Sequence, residues 1–270
     1  MTGMPMTSDR LATAMAVLLV LPAGPALAHD TWLIPARFAV TPGSVVSLEL
    51  TSAMRFPQAE TAVEADRLAA TGVRLGGLTR PLEVKGPGAK ALELSASLSA
   101  SGIAALWVES RPRTLSLGTA EVEEYLDEIG APAGVRARWK KGGRWRETYR
   151  KLAKTFVRVG EAETDRSWAD PVGMELEIVP EQDPTAVGAG SPLPLRVLRG
   201  GKGLAGFSVV AAGGGRSSMR TTDAEGRVTF TLDEPGPWLL KGTLLEESRA
   251  PDTDWESLFT TLTVSVRPGR

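Results

Sequence analysis

Apolar and polar residues alternate along most of the chain in short runs, each closed by glycine, proline or aspartate. In Ser44-Val45-Val46-Ser47-Leu48-Glu49-Leu50, the side chains of Val46, Leu48 and Leu50 fall on one face at period two, behind the turn Pro42-Gly43. Further strands are predicted at 81–85, 91–98 and 103–109, separated by Gly86-Pro87-Gly88 and Ser99-Ala100-Ser101-Gly102. Strands this short and this regularly punctuated predict an antiparallel sandwich.

Residues 119–158 break the rhythm. Thr119 is placed to cap a helix through Ile129, with Glu121, Glu123 and Glu124 near the positive end of its dipole and Gly130 to stop it. The charge then reverses: Arg136, Arg138, Lys140, Lys141, Arg144, Arg146, Arg150, Lys151, Lys154 and Arg158 are opposed only by Glu147. A basic run interleaved with Trp139 and Trp145 can serve an anionic partner, or it can lie against the acidic helix before it. From Ala153 to Gly160 the pattern alternates again and predicts a strand. The polar stretch Glu161 to Asp170, with Pro171, reads as a linker. Beyond it come strand patterns at 172–180, 193–198, 206–211, 217–222, 227–232, 238–245 and 259–266, the spacing of a small Greek-key sandwich.

At the start of the chain, residues 1–28 have the form of a secretory signal. Arg10 supplies the positive charge, Leu11 to Pro22 a short apolar run, and Ala26-Leu27-Ala28 the small residues a signal peptidase reads. The run is too short to span a bilayer, so a soluble periplasmic product with no membrane insertion after cleavage is expected. Cleavage after Ala28 leaves 242 residues, and no disulfide framework can form because the chain has no cysteine. A formal net charge of −1 predicts no global attraction to nucleic acid.

The same cleavage makes His29, the only histidine of the chain, the first residue of the mature protein. Its α-amine and Nδ1 then close a six-membered chelate on a borderline metal such as Cu(II) or Ni(II), with Asp30 able to add an oxygen. The competing reading is a frayed terminus that binds nothing. Oxidative copper chemistry at an N-terminal histidine needs a second histidine, which is missing. Hydrolytic chemistry has no footing either: there is no Cys-His pair, no internal histidine for a Ser-His-Asp triad, no Gly-x-Ser-x-Gly and no phosphate loop. The run Gly213-Gly214-Gly215-Arg216 reads as a hairpin tip, and Asp252-Thr253-Asp254-Trp255-Glu256 as a solvated loop without the spacing of a calcium site. Of seven tryptophans, Trp32, Trp107 and Trp238 sit in apolar strand contexts and are expected in the core; Trp139, Trp145, Trp168 and Trp255 are candidates for an exposed binding patch.

Two resemblances add to this reading. Thr222-Asp223-Ala224-Glu225-Gly226-Arg227-Val228-Thr229-Phe230, followed by Pro235-Gly236-Pro237-Trp238, resembles the transthyretin-like, carboxypeptidase-regulatory-type module, in which the Asp and Gly form a tight turn and the Phe enters the core. The mature chain as a whole resembles the bacterial domain-of-unknown-function family 4198, often described as the periplasmic component of nickel or cobalt uptake. The pieces that carry this are His29-Asp30-Thr31-Trp32-Leu33-Ile34-Pro35, Tyr125 to Gly130, Arg146 to Lys154, Leu176 to Pro180, Gly201 to Gly206 and Thr260 to Val264. The resemblance implies Ni(II) or Co(II) as cargo and a membrane metal importer as partner. The expectation is an all-β protein of two β-sandwich-like domains, 29–170 with a helical insertion at about 119–147 and 171–270 transthyretin-like. It is expected to be no enzyme, to bind metal through His29 and Asp30, and to bind no nucleic acid. The alternative is a non-catalytic envelope adaptor for a protein or glycan.

Overall fold

The computed structural model describes residues 29–139 and 144–269; the signal expected at 1–28, together with Lys140 and Lys141 of the basic run, lies outside them. Among the described residues the order is β1 (Asp30–Pro35), β2 (Ala39–Val40), β3 (Ser44–Ala53), β4 (Thr61–Ala62), β5 (Leu68–Leu75), β6 (Leu78–Arg80), β7 (Glu83–Pro87), β8 (Leu92–Leu98), β9 (Gly102–Ser110), β10 (Arg113–Leu117), α1 (Thr119–Glu128), α2 (Ala133–Arg138) and β11 (Trp145–Val159). Then follow β12 (Leu176–Pro180), β13 (Pro192–Arg199), β14 (Lys202–Gly203), β15 (Ser208–Gly213), β16 (Arg216–Thr221), β17 (Arg227–Thr231), β18 (Gly236–Glu247) and β19 (Trp255–Val266). The fold is all-β and sandwich-like with a small helical insertion. None of the described helices is long and apolar enough to cross a membrane.

The central layer is a ten-stranded sheet with the path β16-β15-β18-β19-β11-β9-β5-β6. It draws strands from both sides of the linker expected at 161–171, because β19 runs parallel beside β11 from Glu147↔Trp255 to Thr155↔Thr263. A five-stranded sheet, β1-β3-β8-β7 with β4 beside β3, covers one face; a four-stranded sheet built on β12, β13, β14 and β17 covers the other. β9 shows how this works: Ala104, Leu106 and Val108 join Leu48, Leu50, Leu92 and Leu94 in one core, while Ile103, Ala105 and Trp107 join Leu176, Ile178, Leu195 and Phe230 in the other. A strand buried on both faces needs a continuous apolar run, which is what Gly102 to Val108 supplies. β3 is buried on one face only and alternates as its sequence predicts.

Two glycines are required by close approach. A Cβ on Gly72 in β5 would lie 2.1 Å from the Trp107 ring, and one on Gly226 would lie 2.6 Å from the Val197 carbonyl, at φ +79. The second belongs to the turn in which Asp223 Oδ1 accepts the N–H groups of Glu225 and Arg227, and Phe230 beyond it is buried, as the turn-and-core pattern of that stretch implies.

The helical insertion is shorter than 119–147. α2 ends at Arg138 and a strand has begun by Trp145, since Trp145, Glu147 and Tyr149 already alternate inward against α1. Thr119 is the first helical residue and not the cap; Gly118 holds the cap position, with its N–H donated to Glu121 Oε2 at 2.7 Å. Gly130 follows the helix at φ +59, the left-handed stop that its position predicts.

Candidate functional site

β1 is held by burial. Trp32 and Leu33 are both fully buried, Trp32 edge-on to Phe56 at 5.3 Å and clustered with Ala53 and Leu239. Thr31 adds a hydroxyl contact to Ser52 at 2.6 Å, and its carbonyl accepts Thr261 Oγ1 at 2.8 Å. This strand therefore presents His29 at a fixed place on the molecule, not on a loose end.

His29 is partly buried on the wall of a cavity of about 210 Å³. Its Nε2 lies 4.0 Å from Glu60 Oε2, and the same oxygen accepts the Met54 N–H at 3.2 Å, which fixes the carboxylate at the end of β3. The His29 carbonyl accepts Lys151 Nζ at 2.6 Å. Lys151 comes from the middle of β11, with Nζ 5.7 Å from the ring centroids of both Tyr149 and Phe259. Burial pushes its ammonium down to about 8, against the opposing pull of Asp30.

Asp30 leaves the chain on the opposite face, as neighbouring residues of an extended strand must. Its Oδ2 accepts Lys241 Nζ at 2.6 Å, in a small crevice that it shares with Tyr125, Glu128 and Phe259. Burial raises the Asp30 pKa, and Lys241 offsets part of that rise. The carboxylate expected beside the histidine thus has a fixed partner of its own, while Glu60, which the local sequence did not mark, faces the imidazole. Among the described residues no three His, Cys, Asp or Glu side chains converge as a ready ligand set.

The other candidates fall elsewhere. Of the four tryptophans expected in an exposed patch, Trp145, Trp168 and Trp255 are buried and Trp139 is partly buried, edge-on to Trp145 at 6.4 Å. Trp145 stacks on Trp255 at 4.8 Å, because both sit on inward positions of adjacent parallel strands whose outward positions carry the charges that made the sequence look polar. Trp32, Trp107 and Trp238 are in the core as expected. The described basic side chains of 136–158 are largely paired, Arg136 with the acidic helix and most others elsewhere. Arg136 meets Asp127 at 2.8 Å, whereas Arg138 meets Glu247, Arg144 meets Asp254, Arg150 meets Glu109 and Glu175, and Arg158 meets Glu163 and Asp183. Asp254 also accepts the Arg146 N–H at 3.0 Å, so the acidic loop serves as a clamp on β11. Gly214 and Gly215 form the β15–β16 hairpin tip, both at positive φ.

Against known proteins, the family model described as "Domain of unknown function (DUF4198)" matches residues 26–244. No curated protein matches the chain. Among solved structures, a Ca2+-stabilized adhesin that helps an Antarctic bacterium bind ice is 11% identical, over 89% of this chain and 49% of its own, at a TM-score of 0.24. The adhesin InvE of Yersinia pseudotuberculosis is 12% identical over 88% of this chain and 59% of its own, at 0.23. A Salmonella alpha-2-macroglobulin is 10% identical over 88% of this chain and 15% of its own, at 0.24. The chain spans about half the length of the first of these. Likeness at this level carries no argument about what the chain does.

Proposed function

The chain belongs to this family, DUF4198, matched over residues 26–244, and from that premise we propose that it is an exported periplasmic protein that binds one divalent metal at His29 and passes it to a membrane importer. Ni(II), Co(II) and Cu(II) are the cargoes whose chemistry suits an amine and an imidazole nitrogen. In this reading cleavage after Ala28 frees the α-amine, and the amine and Nδ1 hold the ion. Nε2 then carries the ring proton and faces Glu60. A carboxylate at the far nitrogen of a metal-bound imidazole orients the ring and raises its basicity.

The observation that carries the proposal is the Nε2 to Glu60 Oε2 approach of 4.0 Å on an anchored strand. A frayed terminus would have neither the anchor nor the facing carboxylate. Asp30 is left out of the ligand set, since Lys241 engages it. The stretch from Thr222 to Trp238, with its Asp-Gly turn and buried Phe230, supports a transthyretin-like role for the second half as scaffold. The adaptor alternative has less to draw on, because three of the four tryptophans it would use are buried, the fourth, Trp139, is partly buried against Trp145, and the basic charges are largely paired.

The test is direct. Intact mass of the exported form should show His29 as the first residue. Titration of that form with Ni(II) or Cu(II) should give one equivalent bound, lost in His29→Ala and in a version with one extra residue before His29. Equal binding by all three forms would overturn the proposal.

A further inference from the structure

The cavity beside His29 has a marked excess of positive charge. Arg67, Arg113 and Lys151 line it, against a single lining carboxylate, Glu64. They arrive from separate segments: Arg67 from the 3-10 turn before β5, Arg113 from the start of β10, and Lys151 from β11. The segments that carry the first two are joined at the rim, where Arg111 donates its N–H to the Arg67 carbonyl at 2.7 Å and Arg67 Nη1 reaches the Pro112 carbonyl at 3.4 Å. Ser110 accepts the Lys151 N–H at 2.8 Å and keeps its own hydroxyl proton for the cavity. Three cations lining one cavity repel one another and are stabilised by an anion between them.

We propose that this cavity binds a small organic polycarboxylate, one end held by Arg67, Arg113 and Lys151 and the other reaching the metal on His29. Two nitrogens leave a divalent ion with open positions, and carboxylate oxygens are apt ligands for them. Planar guanidinium forks match carboxylates with paired hydrogen bonds, which favours this class over a spherical anion. A volume of about 210 Å³ is below the roughly 300–1,000 Å³ of drug-sized sites, so the ligand is of metabolite size and not a glycan. The anion site stands on the cavity alone, whereas its bridge to the metal rests on the metal reading above.

Calorimetry with citrate on the processed, metal-free protein tests the first part. One equivalent should bind, and the Arg67→Ala/Arg113→Ala variant, still folded by circular dichroism, should bind at least about tenfold more weakly. Arg67→Lys/Arg113→Lys should restore part of the affinity through charge while losing the fork. Citrate binding repeated with Ni(II) present should tighten in the native protein and not in His29→Ala. If citrate binds without metal but Ni(II) neither binds nor tightens it, the metal reading falls and the anion site stands. No citrate binding in either condition, an unaltered affinity in the double alanine variant, or inorganic phosphate binding as tightly as citrate would overturn the proposal.

Discussion

Lys154 Nζ and Glu177 Oε1 lie 2.5 Å apart, each side chain 1% exposed, and this pair fastens β11 of the central sheet to β12 of the four-stranded layer. Glu177 also accepts the N–H groups of Val172 and Gly173 at 2.9 and 3.0 Å, so the chain that leads into β12 is tied to the same carboxylate. Burial lowers the Lys154 pKa, which the carboxylate counters. Glu177→Ala strands a buried ammonium and two N–H groups and should cost about 3–5 kcal/mol in urea unfolding. The double variant Lys154→Met/Glu177→Gln removes the charge and keeps an acceptor for one of the two N–H groups, and should recover part of that loss. A loss under about 1 kcal/mol for Glu177→Ala would show that the pair is not what fastens the layers.

Asp30→Asn separates ligand from anchor. The partly buried Lys241 loses its charged partner, and stability should fall by roughly 1–3 kcal/mol. Metal stoichiometry and affinity at His29 should stay as they were, because the Asp30 carboxylate points into the other crevice. A tenfold loss of Ni(II) affinity in a still-folded Asp30→Asn protein would return Asp30 to the ligand set.

What could be read from the chain depended on how local each signal was. Val46, Leu48 and Leu50 declare β3 by themselves, because one buried face leaves a period of two. β5 escaped notice since Leu68-Ala69-Ala70-Thr71-Gly72 has no alternation; its middle is kept small to admit the Trp107 ring. The start of β11 was hidden by arginines on its outward face. His29 was legible because it is the chain's only histidine and follows the signal-like Ala26-Leu27-Ala28. Glu60, Arg67, Arg113 and Lys151 meet it only through the pairing of distant strands, and no spacing along the chain announces that.

Glu147 gives a pH dependence whose sign can be worked out. Its side chain is buried, and burial raises its pKa despite hydrogen bonds from Ser257, Trp145 and Tyr125. The folded state therefore holds this proton more tightly than the unfolded state, and stability from this group is fully present below the unfolded value of 4.5 and is lost as pH rises through the raised folded value. Glu147→Gln stands in for the protonated acid. Its stability relative to the native protein should rise as pH increases from about 4.5 toward neutrality. Urea midpoints of both proteins across that range decide it: a constant gap would mean that Glu147 titrates as it does in the unfolded chain.

Glu60→Gln tests the orientation of the imidazole proposed to bind metal without touching either proposed nitrogen donor. The carboxylate faces Nε2 at 4.0 Å and is held by the Met54 N–H, so glutamine can keep the backbone contact through its carbonyl oxygen. What it removes is the negative charge that faces Nε2, on the side of the ring away from the proposed Nδ1 donor. Loss of such an outer partner typically weakens metal binding about 10–100-fold. The binding curve of Glu60→Gln should shift by that factor with one equivalent still bound, whereas His29→Ala should abolish binding altogether. If Glu60 were itself a ligand, the change would alter the metal's electronic spectrum as well as its affinity. An unchanged affinity would mean that the 4.0 Å approach has no part in holding the ion.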